Sequence, residues 1–501
     1  MSRINNNINS LIAQRIAGQQ NASLSKSLER LSTGLRINRG GDDPAGLIAS
    51  EVLRGEKAAL TSAIGNAERA EQFVATAEGG LQEINALLTE VQSLVGQSAN
   101  EAGLSTEEKE ANQLQIDNIL TTIDRIAATT SFQGTKLLNG NFDFQVSGVA
   151  TTVDKLTVND AKIGSSNVAV QALVTQSAQN AGLFLSLGDT SLDLASAVSS
   201  FVFELGGAEG TREFSFGSGV TLADMATQIN TFKDVTGVSA LASGNYIELK
   251  STEFGEDAFV SFNITNRGGQ AGLVVDMSGG DETNRDTGST TNFTAITAAV
   301  RDEGQDIAGT INGISARGNG KALSVASDAL SAEVLLTTAG AQATGTTSVA
   351  TIYGGGAEFN LGAEVNLNNQ VRLGIGNVAA RALGQYDNGT LTYYLDDLGS
   401  SGDLNVVDGD LTDAQKVIDG ALREISGQRG RLGAFQKNVV GSTINTLSVA
   451  FENISAAESA IRDTDFAEAT AELARNQVLV AAANQVLGIA NSQTSQALTL
   501  L

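Results

Sequence analysis

The sequence predicts an α+β multidomain protein in which both chain ends form a long antiparallel helical bundle or coiled coil, with β-rich domains inserted between them. Three observations carry this. Apolar residues recur at helical spacing up to about residue 140 and again from about 410 to the end. Between these regions lie 18 of the 23 aromatic residues, including all five Tyr, among short alternating runs and Gly-rich turns in 141–403. The two ends also mirror each other: each has a long helix, an Asp-rich elbow and a weakly charged terminal helix.

The totals narrow the function classes. A chain of 501 residues suggests two to four domains. Lys plus Arg number 31 against 56 Asp plus Glu, a net charge of −25, which makes nucleic acid and anionic membrane surfaces poor partners. Without Cys or His there are no thiol nucleophiles, disulfides, imidazole bases or common transition-metal ligands, so neither an enzyme nor a cofactor is expected. MSRINNNINSLIAQ lacks the apolar segment and cleavage pattern of a secretory signal peptide. Residues 476–501 carry no charge, yet Asn476, Gln477, Asn484, Gln485 and Asn491 argue against membrane insertion, since each would leave amide groups in hydrocarbon.

Taken in order, residues 1–37 read as helix. Ile4, Ile8, Leu11, Ile12 and Ile16 lead into a stripe of Leu24, Leu28, Leu31 and Leu35, at steps of four, three and four, which asks for a partner helix. Gly40 and Gly41 break the run, Asp42 and Asp43 offer caps, and Pro44 suits a first helical turn. A second helix is expected from Pro44 to about Asn100, rod-like in length, with Glu71 and Glu78 interrupting its apolar stripe. A third, begun by Thr106, Glu107 and Glu108, carries Ile116, Ile119, Leu120, Ile123 and Ile126.

From about 141 strands are expected. Phe201, Phe203 and Leu205 alternate, as do Phe214 and Phe216; Thr221 and Asp224 open a short helix, and Tyr246–Leu249 and Phe259–Ile264 continue as strands. The polar stretch 267–300 reads as exposed loop. A further β-rich piece spans about 305–395, with a hairpin turn at Asp387, Asn388 and Gly389. Helical spacing returns with Ile418, Leu422, Ile425, Leu432, Val439, Ile444, Leu447, Phe451, Ile454 and Ile461. Asp463, Thr464 and Asp465 offer a second elbow before a final helix carrying Phe466, Leu473, Val480, Leu487, Leu498 and Leu501.

Patterns that suggest chemistry have plainer explanations. Ser23 to Lys26 match S-x-x-K without its companion motifs. Around Gly318, Gly320 and Lys321 a phosphate loop would need Gly at Ser315 and a hydroxyl at Ala322. The carboxylate pairs Asp42/Asp43, Asp396/Asp397, Asp408/Asp410 and Asp463/Asp465 each sit beside a helix start or Gly turn, where capping accounts for them.

ERLSTGLRIN with DDPAGL resembles the amino-terminal signature of bacterial flagellins. SGQRGRLGAFQKNV, ENISAAESAIRDTDFAEAT and ANSQTSQALTLL resemble their carboxy-terminal half. The unit at about 201–266 is similar to a ββαββ insertion of flagellins and hook proteins. The resemblance implies a subunit that polymerises into the flagellar filament for motility, secreted unfolded by the flagellum's type III export and located in the extracellular flagellum. It implies a terminal core from 1–43 and 463–501, a helical rod from 44–165 and 365–462, and outer domains from 166–364. The implied partners are further copies, an export chaperone, the filament cap and the hook-filament junction proteins. A hook-filament junction protein is the alternative, and an acidic secreted adhesin a distant one. The terminal helices are expected to fold on assembly. The family's toll-like receptor segment matches Leu88–Asn100. Leu94 is kept, but Glu90 stands at a basic position and Gln115 replaces an acid, so immune recognition is expected to be weak.

Overall fold

The computed structural model describes residues 7–100, 103–163, 167–194, 199–278, 281–327, 329–388 and 391–499. Capping chemistry decides its helix boundaries. Helix α1 (Ile8–Thr33) begins where Asn7 Oδ1 accepts from Ser10 N at 3.0 Å and ends at Gly34, whose φ of +73° turns its N–H back to the Arg30 carbonyl. The helix therefore stops at Thr33 rather than near residue 37, and Gly34 ends it, not Gly40 or Gly41. The next helix, α2 (Pro44–Ser98), is capped by Asp43, whose Oδ1 accepts from Gly46 N at 2.9 Å. Ser105 and Glu108 form a capping box for α3 (Thr106–Thr129). The short helices α4 (Leu222–Thr231), α5 (Lys233–Thr236) and α6 (Thr338–Gln342) lie in the β-rich region. After them come α7 (Leu411–Ala434), capped by Asp410, then α8 (Ser442–Arg462) and α9 (Phe466–Thr499).

The chain folds as two units. One comprises Met1–Ala75, Phe359–Gln370 and Gly430–Leu501; the other comprises Thr76–Glu358 and Val371–Arg429. In the first, the leading part of α2 runs antiparallel to α8. Glu51 meets Arg462 at 3.1 Å and Lys57 meets Glu458 at 3.3 Å. Phe359 lies edge-on to Phe73 at 5.3 Å and 6.0 Å from Phe435. A π-helical segment, Phe435–Gly441, separates α7 from α8. Its wider turn advances the inward face by five residues, so Val440 follows Phe435 into the core and the expected Val439 is only half-buried.

The second unit begins with a helical layer. Leu81, Ile84, Leu88, Val91 and Val95 of α2, Ile116, Leu120 and Ile123 of α3, and Val417, Ile418 and Ile425 of α7 are buried. Glu78, at the edge of the α2 stripe, pairs with Arg429 at 3.1 Å.

The strands of this unit include β1 (Ser131–Phe132), β2 (Thr135–Lys136), β3 (Phe144–Ser147), β4 (Val153–Ala161), β5 (Val168–Gln176), β6 (Gly182–Ser186), β7 (Ser200–Gly207), β8 (Thr211–Gly217), β9 (Val238–Ser243), β10 (Tyr246–Ser251), β11 (Phe259–Asn266), β12 (Leu273–Ser278), β13 (Asp281–Asn292), β14 (Val300–Glu303), β15 (Ala308–Ile311), β16 (Ile314–Asn319), β17 (Ala322–Ala326), β18 (Leu330–Leu336) and β19 (Gly345–Gly355). Strands β1 and β2 form a small hairpin. An eight-stranded sheet runs β3-β19-β5-β15-β16-β17-β18-β4. Strands β3 and β4 precede residue 166, so the boundary expected at 165/166 falls inside this sheet.

The Phe-rich lobe pairs a five-stranded sheet, β13-β12-β6-β10-β9, with a four-stranded one, β14-β11-β7-β8. Its core joins Phe201, Phe203, Phe214, Phe216 and Phe262 to Leu183, Val274 and Phe293. Two expectations are corrected here. The lobe extends beyond 201–266 in both directions, and 267–300 is not loop, because β12 and β13 pair within it and bury Val274, Val275 and Phe293. The short LVV run is masked by the polar residues around it and gains its meaning from β6 alongside.

Candidate assembly surface on the terminal helix pair

Helices α1 and α9 lie antiparallel in one unit. Asn7 Nδ2 donates to the Ala490 carbonyl at 2.8 Å, Ser10 Oγ to Asn491 Oδ1 at 2.6 Å, and Asn476 Nδ2 to Ser27 Oγ at 2.9 Å; Arg30 faces Glu472 at 3.9 Å. Among the described side chains of α9 the buried positions are Ala469, Asn476, Ala483 and Ala490, one per heptad, with Leu473, Val480 and Leu487 half-buried between them. On α1 Ala13, Ala17 and Ser27 are buried, with Gln20, Leu24 and Leu31 half-buried. Small residues bring the two backbones close and leave most large side chains outside.

The residues read from the sequence thus divide. Leu24, Leu31, Leu473, Val480 and Leu487 flank the seam. Ile8, Leu11 and Leu28 face outward, as do Ile12, Ile16, Phe466, Val478, Leu479, Val486 and Ile489; Leu11 keeps 61% and Val478 68% of its surface. The expected stripe is corrected at two points: Ser27 rather than Leu28 turns inward, and Leu35 lies beyond the helix. Ile4 and Leu501 fall outside the described residues, and Leu498 is described only as a position in α9. Sequence reasoning missed the seam itself because Ala, Ser and Asn carry little apolar signal; their seven-residue recurrence on α9, alternating with Leu473, Val480 and Leu487, was the available clue.

The two elbows meet. Leu35 forms an isolated antiparallel bridge with Asp463, Thr464 N donates to the Gly34 carbonyl at 2.9 Å, and Arg36 N to the Arg462 carbonyl at 2.7 Å. Ile37 is buried beside them. Asp42 does not cap α2. Its carboxylate binds Lys26 at 2.8 Å and accepts from Asn38 N and Arg39 N, and these partners, Lys26 foremost, hold its pKa down at about 2. Pro44 takes the first turn of α2 behind the Asp43 cap. Asp463 accepts from Ser459 Oγ at 2.6 Å, while Asp465 caps α9 through Ala467 N and Glu468 N.

Glu90 and Gln115 are exposed on α2 and α3, whereas Leu94 is buried and so is withdrawn from the surface on which it was read. Among the described residues no cluster of acidic ligands could hold a metal ion, and no helix is long and apolar enough to cross a membrane.

Comparison with known proteins gives a consistent result. The family model for the bacterial flagellin N-terminal helical region matches residues 4–143, and that for the C-terminal helical region matches 415–501. B-type flagellin of Pseudomonas aeruginosa is 30% identical, covering 99% of both chains; flagellin B of Helicobacter pylori is 29% identical, covering 100% of this chain and 99% of that one. Among solved structures, FliC from Burkholderia pseudomallei is 15% identical with a TM-score of 0.23, covering 74% of this chain and 99% of that one. The D2-D3 domains of the flagellar cap protein FliD from Serratia marcescens are 20% identical with a TM-score of 0.25, covering 37% and 93%.

Proposed function

This chain belongs to the bacterial flagellin family and is a structural subunit of the flagellar filament; from that premise we propose how its parts serve assembly. Residues 1–43 and 463–501 form the filament core, 44–165 and 365–462 the rod, and 166–364 the outward region, with β3 and β4 continuing the outer sheet inward. The observation that carries this reading is the terminal helix pair. Its own seam is filled by small side chains, while Ile8, Leu11, Ile16, Leu28, Val478, Val486 and Ile489 stay exposed. Rows of large apolar residues on a soluble surface favour burial against another protein. Contacts between unlike faces of identical chains propagate as a helix when their rotation does not close a ring.

The subunit has no enzymatic role in this reading. It is secreted through the flagellar export route, meets an export chaperone, the cap and the junction proteins, and ends in the extracellular filament. Its terminal helices are largely unfolded before assembly and fold against neighbours. With Glu90 and Gln115 exposed and Leu94 buried, recognition by the innate immune receptor is weak. The test of the central reading is electron microscopy of purified protein seeded on filament fragments. Wild type elongates the seeds, and deletion of 1–43 or 463–501 stops growth; unchanged elongation by either deletion would sink the mechanism.

A further inference from the structure

The α1–α9 pair poses a physical problem: it buries small residues, leaves Leu24, Leu31, Leu473, Val480 and Leu487 half-buried beside them, and exposes its other described large ones. Apolar burial alone favours the opposite, because each fully buried Leu, Val or Ile side chain is worth far more than an Ala. A turn of α9 by about 60° about its axis would bring Leu479 and Val486 against α1 in place of Asn476 and Ala483 and swing Ile489 toward it, while moving the half-buried Leu473, Val480 and Leu487 away.

Among the described residues the seam holds one buried polar layer, which opposes that turn. Asn476 is 6% exposed and Ser27 4%, and the amide of the first donates to the hydroxyl of the second at 2.9 Å. Turning α9 outward at Asn476 would strand the Ser27 hydroxyl against an apolar side chain, and an unsatisfied buried polar group costs more than its hydrogen bond contributes. Single buried Asn residues select pairing geometry in coiled coils in the same way.

We infer that the Asn476–Ser27 hydrogen bond is a positioning pair: it selects which face of α9 turns toward α1 and so keeps the large apolar residues on the outside. The inference rests on the assembly reading above, for which that outer face is the contact with a second copy of this chain. Asn476 and Ser27 act through the orientation of the helix.

The absence of cysteine makes the test direct. With Ser27 level with Asn476, two heptads along each helix bring Ala13 level with Ala490, both buried, while the adjacent Ile489 faces out. Filaments are grown on seeds from full-length Ala13→Cys/Ala490→Cys and Ala13→Cys/Ile489→Cys proteins, oxidised, and scored on denaturing gels for intrachain crosslinks, which keep monomer mass. In the otherwise native chain the first pair crosslinks and the second does not. Adding Ser27→Ala with Asn476→Ala leaves a seam of small residues without the clasp. Crosslinking at Ala490→Cys then falls by about fivefold or more, crosslinking at Ile489→Cys rises, and elongation slows.

The reciprocal exchange, Ser27→Asn with Asn476→Ser, keeps a hydroxyl facing an amide and restores the native crosslink and elongation. If the double Ala protein does not assemble, the exchanged protein alone decides, since its failure to restore the native pattern would overturn the inference. An unchanged crosslink pattern in double Ala filaments would overturn it as well. Failure of the wild-type chain to elongate seeds would instead count against the assembly reading, so the two failures are distinguishable.

Discussion

Leu35 and Asp463, from opposite ends of the chain, pair in an isolated antiparallel bridge that ties the two elbows together. The bridge depends on α1 ending early. Gly34 supplies the left-handed turn, and its carbonyl accepts from Thr464 N. Both elbows are therefore one joint, built by backbone hydrogen bonds and closed over Ile37.

Gly34→Ala tests this joint. The added Cβ would meet only Phe466 Cζ, at 3.8 Å, so the cost arises from the +73° φ and should be about 1 to 2 kcal/mol. Urea unfolding of assembled filaments should show a lower midpoint and elongation should slow. Gly34→Asn should lose less, because Asn tolerates this conformation better.

Asp42 carries a pH signature. Its folded pKa lies near 2, below the ordinary value of 3.8, so its ionised form stabilises the folded elbow. That contribution is fully present above the ordinary value and is lost as pH falls through about 2. Thermal melts of filaments should show Asp42→Asn less stable than wild type at neutral pH, with the two converging as pH falls from about 4 toward 2.

Asp302 should behave oppositely. Burial pushes its carboxyl upward, with Asp276 adding repulsion, although Gly182 N donates to it at 2.7 Å. A raised folded pKa means that stability is greatest below the ordinary carboxylate range and declines as pH rises through the folded value. Asp302→Asn should therefore stabilise the Phe-rich lobe at neutral pH and confer little advantage at low pH, as read from near-ultraviolet melts of the Phe and Tyr signals.

The outward row predicts a separation of stability from assembly. Leu11→Ser or Val478→Ser should change subunit stability by less than about 0.5 kcal/mol, since both side chains are exposed. Each should raise the critical concentration for seeded growth about tenfold or more, reflecting loss of about 1.5 to 3 kcal/mol of burial between copies. Sedimentation after growth gives that concentration directly.

Phe359 bridges Phe73 and Phe435. Phe359→Ala should destabilise its unit by about 2 to 3 kcal/mol, while Phe359→Leu should cost less because it keeps most of the volume. Urea midpoints of the two variants compare the aromatic and volume contributions.

The helices were legible wherever large apolar residues kept one period, as in α2 with Leu81, Ile84 and Leu88 or α3 with Ile116, Leu120 and Ile123. Caps at Asp43, Thr221, Asp410 and Asp465 were legible because they are local, set by residues within a turn of one another. Strand β12 was obscured, since a three-residue apolar run among Gly, Asp and Thr has no period to read, and only pairing with β6 makes it a core strand. The π segment was equally hidden, as its wider turn moves burial from Val439 to Val440 without any residue that announces it.

What the sequence determined by itself was the division of labour: helical ends, a β-rich centre, two acidic elbows and the family to which they belong. These follow from composition, periodicity and capping, all short-range properties of the chain. Tertiary structure alone decided which face of each terminal helix turns inward. The stripe of Leu24, Leu28 and Leu31 looked like the seam, yet Ser27 holds it with Asn476. The physical reason is that burial depends on the partner as well as on the side chain, and a hydrogen bond across 449 residues leaves no trace in the local pattern of either helix.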